Sequence, residues 1–251
     1  TLALWRFQAD PTNIGEALGY TEPTHDDRRW REVRAPVDFE TCDVALESYE
    51  GTGWFRHRLV GPASWSGCRV ALRLEGVNAR ATVWVNGTEV GRCTDPFLPF
   101  EFDISELLRF DAENLVVVRV DNRRLPGHVP GMQRGWRNFG GLIRDVTVEV
   151  ADPCHLVRLS CVATPSAVGG HLRLDATVRN GRGQPVDVAL VAEVLSDGGS
   201  LLRRLEATLA GLAASADGSV TLEGDVPNAV LWSPDSPARL LVRLAVEADG
   251  E

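Results

Sequence analysis

Apolar and polar residues alternate along this chain in short runs broken by Gly, Pro and Asn, and period-two alternation is the mark of a half-buried strand. Runs of this kind cover residues 53–60, 69–74, 80–85, 100–104, 115–121 and 143–150. Six more follow at 156–164, 171–179, 186–196, 201–209, 219–223 and 239–248. Helical periodicity is nowhere sustained. Only residues 24–30, and a turn capped by Asp103 or Ser105 that runs to Leu108, read as short helices. So many short strands predict an all-β chain made of sandwiches, in which paired sheets each bury one face.

The sharpest local prediction is a hairpin. Ala81, Val83 and Val85 alternate with Thr82 and Trp84, and Asn86-Gly87 offers the two positive-φ positions of a type I′ turn before Glu89-Val90 begins the return strand. Trp84, in mid-strand, is expected in the core or between sheets. Trp54, at a strand start, is likewise expected in the core, and His57 is expected to partner a neighbouring strand.

Aromatic residues are distributed unevenly. Sixteen of the seventeen Trp, Phe and Tyr precede residue 150, and only Trp232 follows it. This shift, with Pro153 unable to continue a central strand, places a domain boundary close to Ala151-Asp152-Pro153.

The formal charge of −9 contains no Lys at all, every cation being Arg. An acidic surface repels phosphate backbones and anionic lipids, so neither nucleic acid nor membrane is an expected partner. Cys42, Cys68, Cys93, Cys154 and Cys161 lack metal-ligand spacing, and the five His are dispersed, so no metal site is expected. There is no phosphate-binding glycine loop and no Gly-x-Ser-x-Gly elbow, and no cofactor is expected. No apolar run reaches membrane-spanning length and no signal peptide opens the chain, which favours a cytoplasmic location. Because residue 1 is Thr, removal of an upstream leader stays open.

Several runs share a vocabulary. Gly76-Val77-Asn78 precedes the strand ending Val83-Trp84-Val85-Asn86-Gly87, and Pro99-Phe100-Glu101-Phe102-Asp103-Ile104 comes after it. Gly53-Trp54-Phe55 lies upstream; Asn114 to Asn122, Trp136 to Val146 and Leu231-Trp232-Ser233-Pro234 lie downstream. These runs resemble the family-2 glycoside hydrolases, the β-galactosidases, β-glucuronidases and β-mannosidases, over roughly residues 28 to 250.

The resemblance implies a galactose-binding-like jelly-roll β-sandwich over 1–152, a sugar-binding domain, followed by an immunoglobulin-like β-sandwich over 153–251. A constant-type immunoglobulin sandwich has seven strands. With six runs after residue 153, the second domain is expected to lack its last strand. In this family a (β/α)₈ barrel carries the acid/base glutamate in an Asn-Glu motif, a dipeptide this chain does not contain. Retaining hydrolysis needs two carboxyls about 5–5.5 Å apart. The expectation is therefore a non-catalytic portion of a retaining β-glycosidase, inactive alone, that shapes the pocket of the barrel. Its expected partners are a carbohydrate substrate and that barrel, with association into a homo-oligomer left open.

The resemblance also points to candidate substrate-binding residues: Glu50, Gln133, Arg134, Trp136 and Asn138. Glu50 stands where galactosidases of the family have a substrate-contacting Asn. Arg134 or Gly135 stands where galactosidases and glucuronidases have an Asp. Arg134 could grip a carboxylate or hydroxyls, or pair with Asp121 or Asp145. Trp136, on a Gly-rich loop, either faces ligand or packs. A free-standing carbohydrate-binding module and an adhesion or assembly module are the alternative readings.

Overall fold

A computed structural model of the chain describes residues 1–250 apart from 130, 134 and 136. It is all-β, and its strands gather into two compact units, Thr1–Val150 and Ala151–Glu251.

Unit one contains β1 (Leu4–Asp10), β2 (Arg31–Arg34), β3 (Val37–Asp38), β4 (Thr52–Val60), β5 (Arg69–Leu74), β6 (Arg80–Val85), β7 (Thr88–Cys93), β8 (Phe100–Asp103), β9 (Glu113–Asp121), β10 (Gly141–Leu142) and β11 (Val146–Ala151). A six-stranded sheet in the order β2-β1-β4-β9-β6-β7 faces a three-stranded sheet, β11-β5-β8, and β10 pairs with β3. The two faces of the large sheet have different fates. Phe55, Ala81, Val83, Val85, Val116, Val118 and Val120 point inward and meet Val70, Leu72 and Leu74 in the inter-sheet core. Trp54, Trp84, Leu115 and Val117 point the other way and form a second cluster with Trp30, against which Tyr20 packs. Both tryptophans are buried, but outside the inter-sheet core. A strand buried on both faces loses its polar alternation, which is why β4 reads Gly-Trp-Phe.

Arg56, on this same outer face, is 1% exposed. Its guanidinium meets Asp27 and the backbone carbonyls of Tyr20, Glu22 and His25. Residues 24–30 form turns and bends rather than the expected helix. Of the three carbonyls only that of His25 lies within this segment, and that of Glu22 also accepts from the His25 amide. The other short helix is present as a 3₁₀ turn, Ser105–Leu107.

The hairpin forms as read: Asn86 and Gly87 have φ of 52° and 87°, and Val85 pairs with Thr88. His57 does partner the neighbouring strand, with Nδ1 2.6 Å from the Leu4 carbonyl oxygen.

Unit two contains β12 (Cys154–Ser166), β13 (Gly169–Asn180), β14 (Val186–Ser196), β15 (Leu201–Leu212), β16 (Asp217–Pro227) and β17 (Leu240–Ala248). They form two sheets, β12-β13-β16 and β15-β14-β17. Leu172, Leu174, Ala176 and Val178 of β13 pack with Val188, Leu190, Ala192 and Val194 of β14, the core that period-two alternation predicts. Among the described residues no helix is long and apolar enough to cross a membrane.

Candidate functional site

Two loops meet at one end of unit one: residues 47–51, which enter β4, and residues 122–139, which leave β9. The strands bring them together because β4 and β9 are antiparallel neighbours with Thr52 opposite Asp121. Asn122, the first residue past β9, then clasps both loops. Its Oδ1 accepts from the Gly51 amide at 2.8 Å, and its Nδ2 donates to the carbonyls of Tyr49 at 2.9 Å and Asn138 at 3.0 Å. The Asn138 Nδ2 returns a hydrogen bond to the Asn122 carbonyl. A buried amide side chain must meet its donors and its acceptor, and Asn122 does so wholly with backbone groups.

The clasp fits tightly beneath Gly140, where an added Cβ would stand 2.6 Å from Asn122 Nδ2. The backbone there can approach only because residue 140 has no side chain.

Charged side chains brace the rim. Arg137 spans the two loops, with Nη1 2.9 Å from Glu40 Oε2 and Nη2 2.6 Å from Glu47 Oε1. Attraction from Glu40 and Glu47, together with their hydrogen bonds, holds the Arg137 pKa above the ordinary arginine value. Arg124 Nε lies 3.3 Å from Glu50 Oε1. Asp121 receives Arg80 at 3.0 Å and Arg123 at 2.6 Å. Burial works to raise the Asp121 pKa, but hydrogen bonds from Arg123 and Arg80 outweigh it, and the carboxyl lies below its ordinary value. Asp121 is thus an anion that orders arginines, the opposite of a carboxyl tuned to donate a proton. Burial pushes the Cys42 thiol up to about 12, well above the ordinary thiol range.

Of the five candidate residues, Glu50 is exposed and ion-paired, Gln133 is exposed, and Asn138 is half-buried in the clasp with its Oδ1 unpartnered among the described residues. Arg134 and Trp136 lie outside the described residues. The structure brings Glu50 and Asn138 to the same clasp, through Gly51 and Asn122. Sequence reasoning missed Asn122 itself, along with Glu40, Glu47 and Arg137. The Asp-Asn pair ending a strand was the available signal for Asn122, since Asn there serves as a loop-anchoring residue. Among the described residues no group of three or more His, Cys, Asp or Glu is placed to hold a metal ion. The arrangement offers ordered hydrogen-bonding groups and ion-paired arginines on a rigid frame, which suits recognition of a polar ligand.

Comparison with known proteins agrees with this architecture. Residues 9–151 match the model of the glycosyl hydrolases family 2, sugar binding domain. A β-glucuronidase of Formosa agariphila is 22% identical over 97% of this chain and 27% of its own length. A β-galactosidase of Thermoanaerobacter pseudethanolicus is 34% identical over 44% of this chain and 15% of its own. The fold is shared with the solved β-glucuronidase of Bacteroides uniformis, with a TM-score of 0.85 at 24% identity, over 96% of this chain and 29% of that one. The chain therefore spans less than a third of the length of each of these proteins. With the sugar-binding model matched from residue 9 to residue 151, the chain belongs to the family-2 glycosyl hydrolases.

Proposed function

We propose that this chain works within a retaining β-glycosidase, where its first unit supplies one wall of the substrate pocket and a (β/α)₈ barrel elsewhere in the polypeptide supplies both catalytic carboxylates. The observation that carries this reading is the Asn122 clasp, which turns two loops into a single preorganised surface with Glu50 and Asn138 on it. Sites of this kind depend on a frame that holds contact groups in place before ligand arrives. The short span of the chain against its relatives supports the division of labour. In this reading residues 1–152 are the jelly-roll sugar-binding domain and 153–251 an immunoglobulin-like domain. Glu50, Gln133, Arg134, Trp136 and Asn138 contact or flank the sugar, and the partners are the carbohydrate and the barrel.

The test compares the 251-residue chain with the polypeptide encoded by the whole gene, using chromogenic β-galactosides, β-glucuronides and β-mannosides. The shorter chain should stay at background while the whole polypeptide turns over at least one of them. In the latter, Asn138→Ala should raise KM, since the residue positions the wall and takes no part in proton transfer. Turnover by the 251-residue chain, lost on mutating one of its own carboxylates, would overturn the reading.

A further inference from the structure

We infer that unit one binds a small tetrahedral dianion, a phosphate or sulfate group, on the outer face of its large sheet, in the cavity that Arg80, Arg92 and Arg119 line. The assignment goes beyond the enzyme reading and stands without it.

Strand register gathers the three cations. β6 lies between β9 and β7, and its Thr82 is opposite Arg119 on one side and Arg92 on the other. Residues directly opposite share a face of the sheet, and Arg80, two positions back along β6, shares it too. This face also carries Trp54 and Trp84, and the Arg119 guanidinium carbon stands 5.9 Å from the centre of the Trp54 ring. Against these three arginines the lining offers a single carboxylate, Asp121. The balance is the reverse of the chain's formal charge of −9.

The acids beside these arginines leave them short of acceptors. Asp121 is shared, taking Arg80 at 3.0 Å and Arg123 at 2.6 Å. Arg80 is 17% exposed and donates through Nη2 alone among the described residues, to Asp121 and to the Arg123 carbonyl. Arg92 uses Nε and Nη2 on Glu89, so Nη1 of both side chains lacks a protein acceptor among the described residues. Arg119 leans on the neutral amide of Asn13 at 2.7 Å and on the exposed Glu16 at 3.2 Å. Like charges on one sheet face repel, and Arg80 and Arg119 are largely removed from the water that would screen them. An anion between the strands relieves that repulsion and takes up the open donors.

Size and shape narrow the choice. The cavity is about 220 Å³, below the ~300 Å³ at which drug-sized sites begin and several times the ~30 Å³ of one water. Guanidinium forks match oxyanions in geometry, and Thr82 and Thr94 add hydroxyl donors to the lining. Donors arriving from three adjacent strands suit a group with oxygens on several sides and two charges, more than a planar carboxylate with one.

Titration of the ¹⁵N-labelled 251-residue chain at neutral pH tests this, with phosphate, methyl phosphate, sulfate or acetate replacing chloride at constant ionic strength. At least one of the three tetrahedral anions should give saturable shifts at the amides of residues 80–82, 92–94 and 119, and acetate should bind more weakly. A response to both phosphates without sulfate would assign a phosphoryl group, and a response to sulfate alone a sulfo group. Arg92→Gln and Arg119→Gln, each at an unchanged melting temperature, should weaken binding by about tenfold. Arg92 is 68% exposed, so its replacement leaves the core intact. Arg204→Gln, which removes an ion-paired arginine of unit two, should leave binding unchanged. Absence of saturable shifts, acetate binding as tightly as the tetrahedral anions, or Arg92 and Arg119 variants that bind like the parent would each overturn the assignment. Failure of the enzyme reading would show only in turnover by the whole polypeptide, leaving these shifts in place.

Discussion

Arg56 shows how much can rest on one side chain. A guanidinium with no solvent contact is tolerable only when its donors are met, and here Asp27 and three backbone carbonyls meet them. Those carbonyls belong to the segment that covers Trp54 and Trp84, so one residue of β4 fixes the course of a chain some thirty positions upstream. Arg56→Met keeps much of the side-chain volume but strands the carbonyls and leaves Asp27 to Arg58 alone. It should cost about 3–5 kcal/mol, read from urea denaturation, and Asp27→Asn in the same chain should recover part of that loss. A variant within about 0.5 kcal/mol of the parent would mean that water satisfies these groups as well as the guanidinium does. Nothing local in the sequence announces this contact. A strand reading Trp-Phe-Arg-His invites the assumption that Arg faces solvent, and the segment it holds carries a weak helical pattern. The aromatic neighbours could be placed in a buried cluster, but not the cation between them.

The β6–β7 hairpin lies at the opposite end of legibility. Its turn is chosen by two adjacent residues, both at positive φ, and the turn sets the first two pairs, Val85 with Thr88 and Trp84 with Glu89, before a bulge shifts the register at Val83. Gly87→Val should lower stability by about 1 kcal/mol or more. A Cβ there would find only ordinary contacts, at 3.5 Å from Glu22 Oε2, so backbone conformation and not crowding is at issue. Gly87→Asn, which tolerates positive φ, should therefore be milder; equal losses for Val and Asn would refute the turn argument. The clasp at the end of β9 lies between these extremes. Its loops could be singled out by resemblance, and Glu50 and Asn138 with them, but the residue joining them bonds across a separation of 71 positions to Gly51. Gly140→Ala would press on both the Phe39 ring and Asn122, and should loosen both loops together. Hydrogen exchange should then rise at the Gly51 amide, which Asn122 holds, while the hairpin amides stay protected. Unchanged protection at Gly51 would show that the clasp survives a side chain at 140.

The two units hold separate cores, and their aromatic content makes them unequal to an optical probe. Trp232, the lone aromatic after residue 150, is 64% exposed, so unfolding of the second unit changes its surroundings little. Tryptophan emission should report the first unit almost alone, whereas far-ultraviolet circular dichroism should follow both. Coincident curves would be consistent with joint unfolding; a dichroism transition without an emission change would isolate the second unit. Acid should act on the first unit through Asp10 and Asp121. For each, burial opposes ionisation but is outweighed, at Asp10 by the Trp54 indole and the amides of Gly15 and Ile14, so both folded pKa values lie below the ordinary 3.8. Their stabilisation is complete above that value and fades as pH falls through the lower folded values. The emission midpoint in urea should accordingly drop below about pH 4, and Asp121→Asn should flatten that dependence. A midpoint that rises on acidification would contradict the sign.

The Asn122 clasp also bears on how such a surface can change over generations. Every group that Asn122 grips with its side chain is a backbone amide or carbonyl, so the grip itself does not choose the side chain at Glu50, whereas Gly51 has no room for a Cβ beside the Tyr49 ring and Asn138 returns a hydrogen bond of its own. The frame can persist while the outward side chains are exchanged one at a time, without each exchange having to rebuild the loop that displays it. New preferences can then be tried on an inherited mounting, and the residues easiest to replace are the ones a ligand would touch.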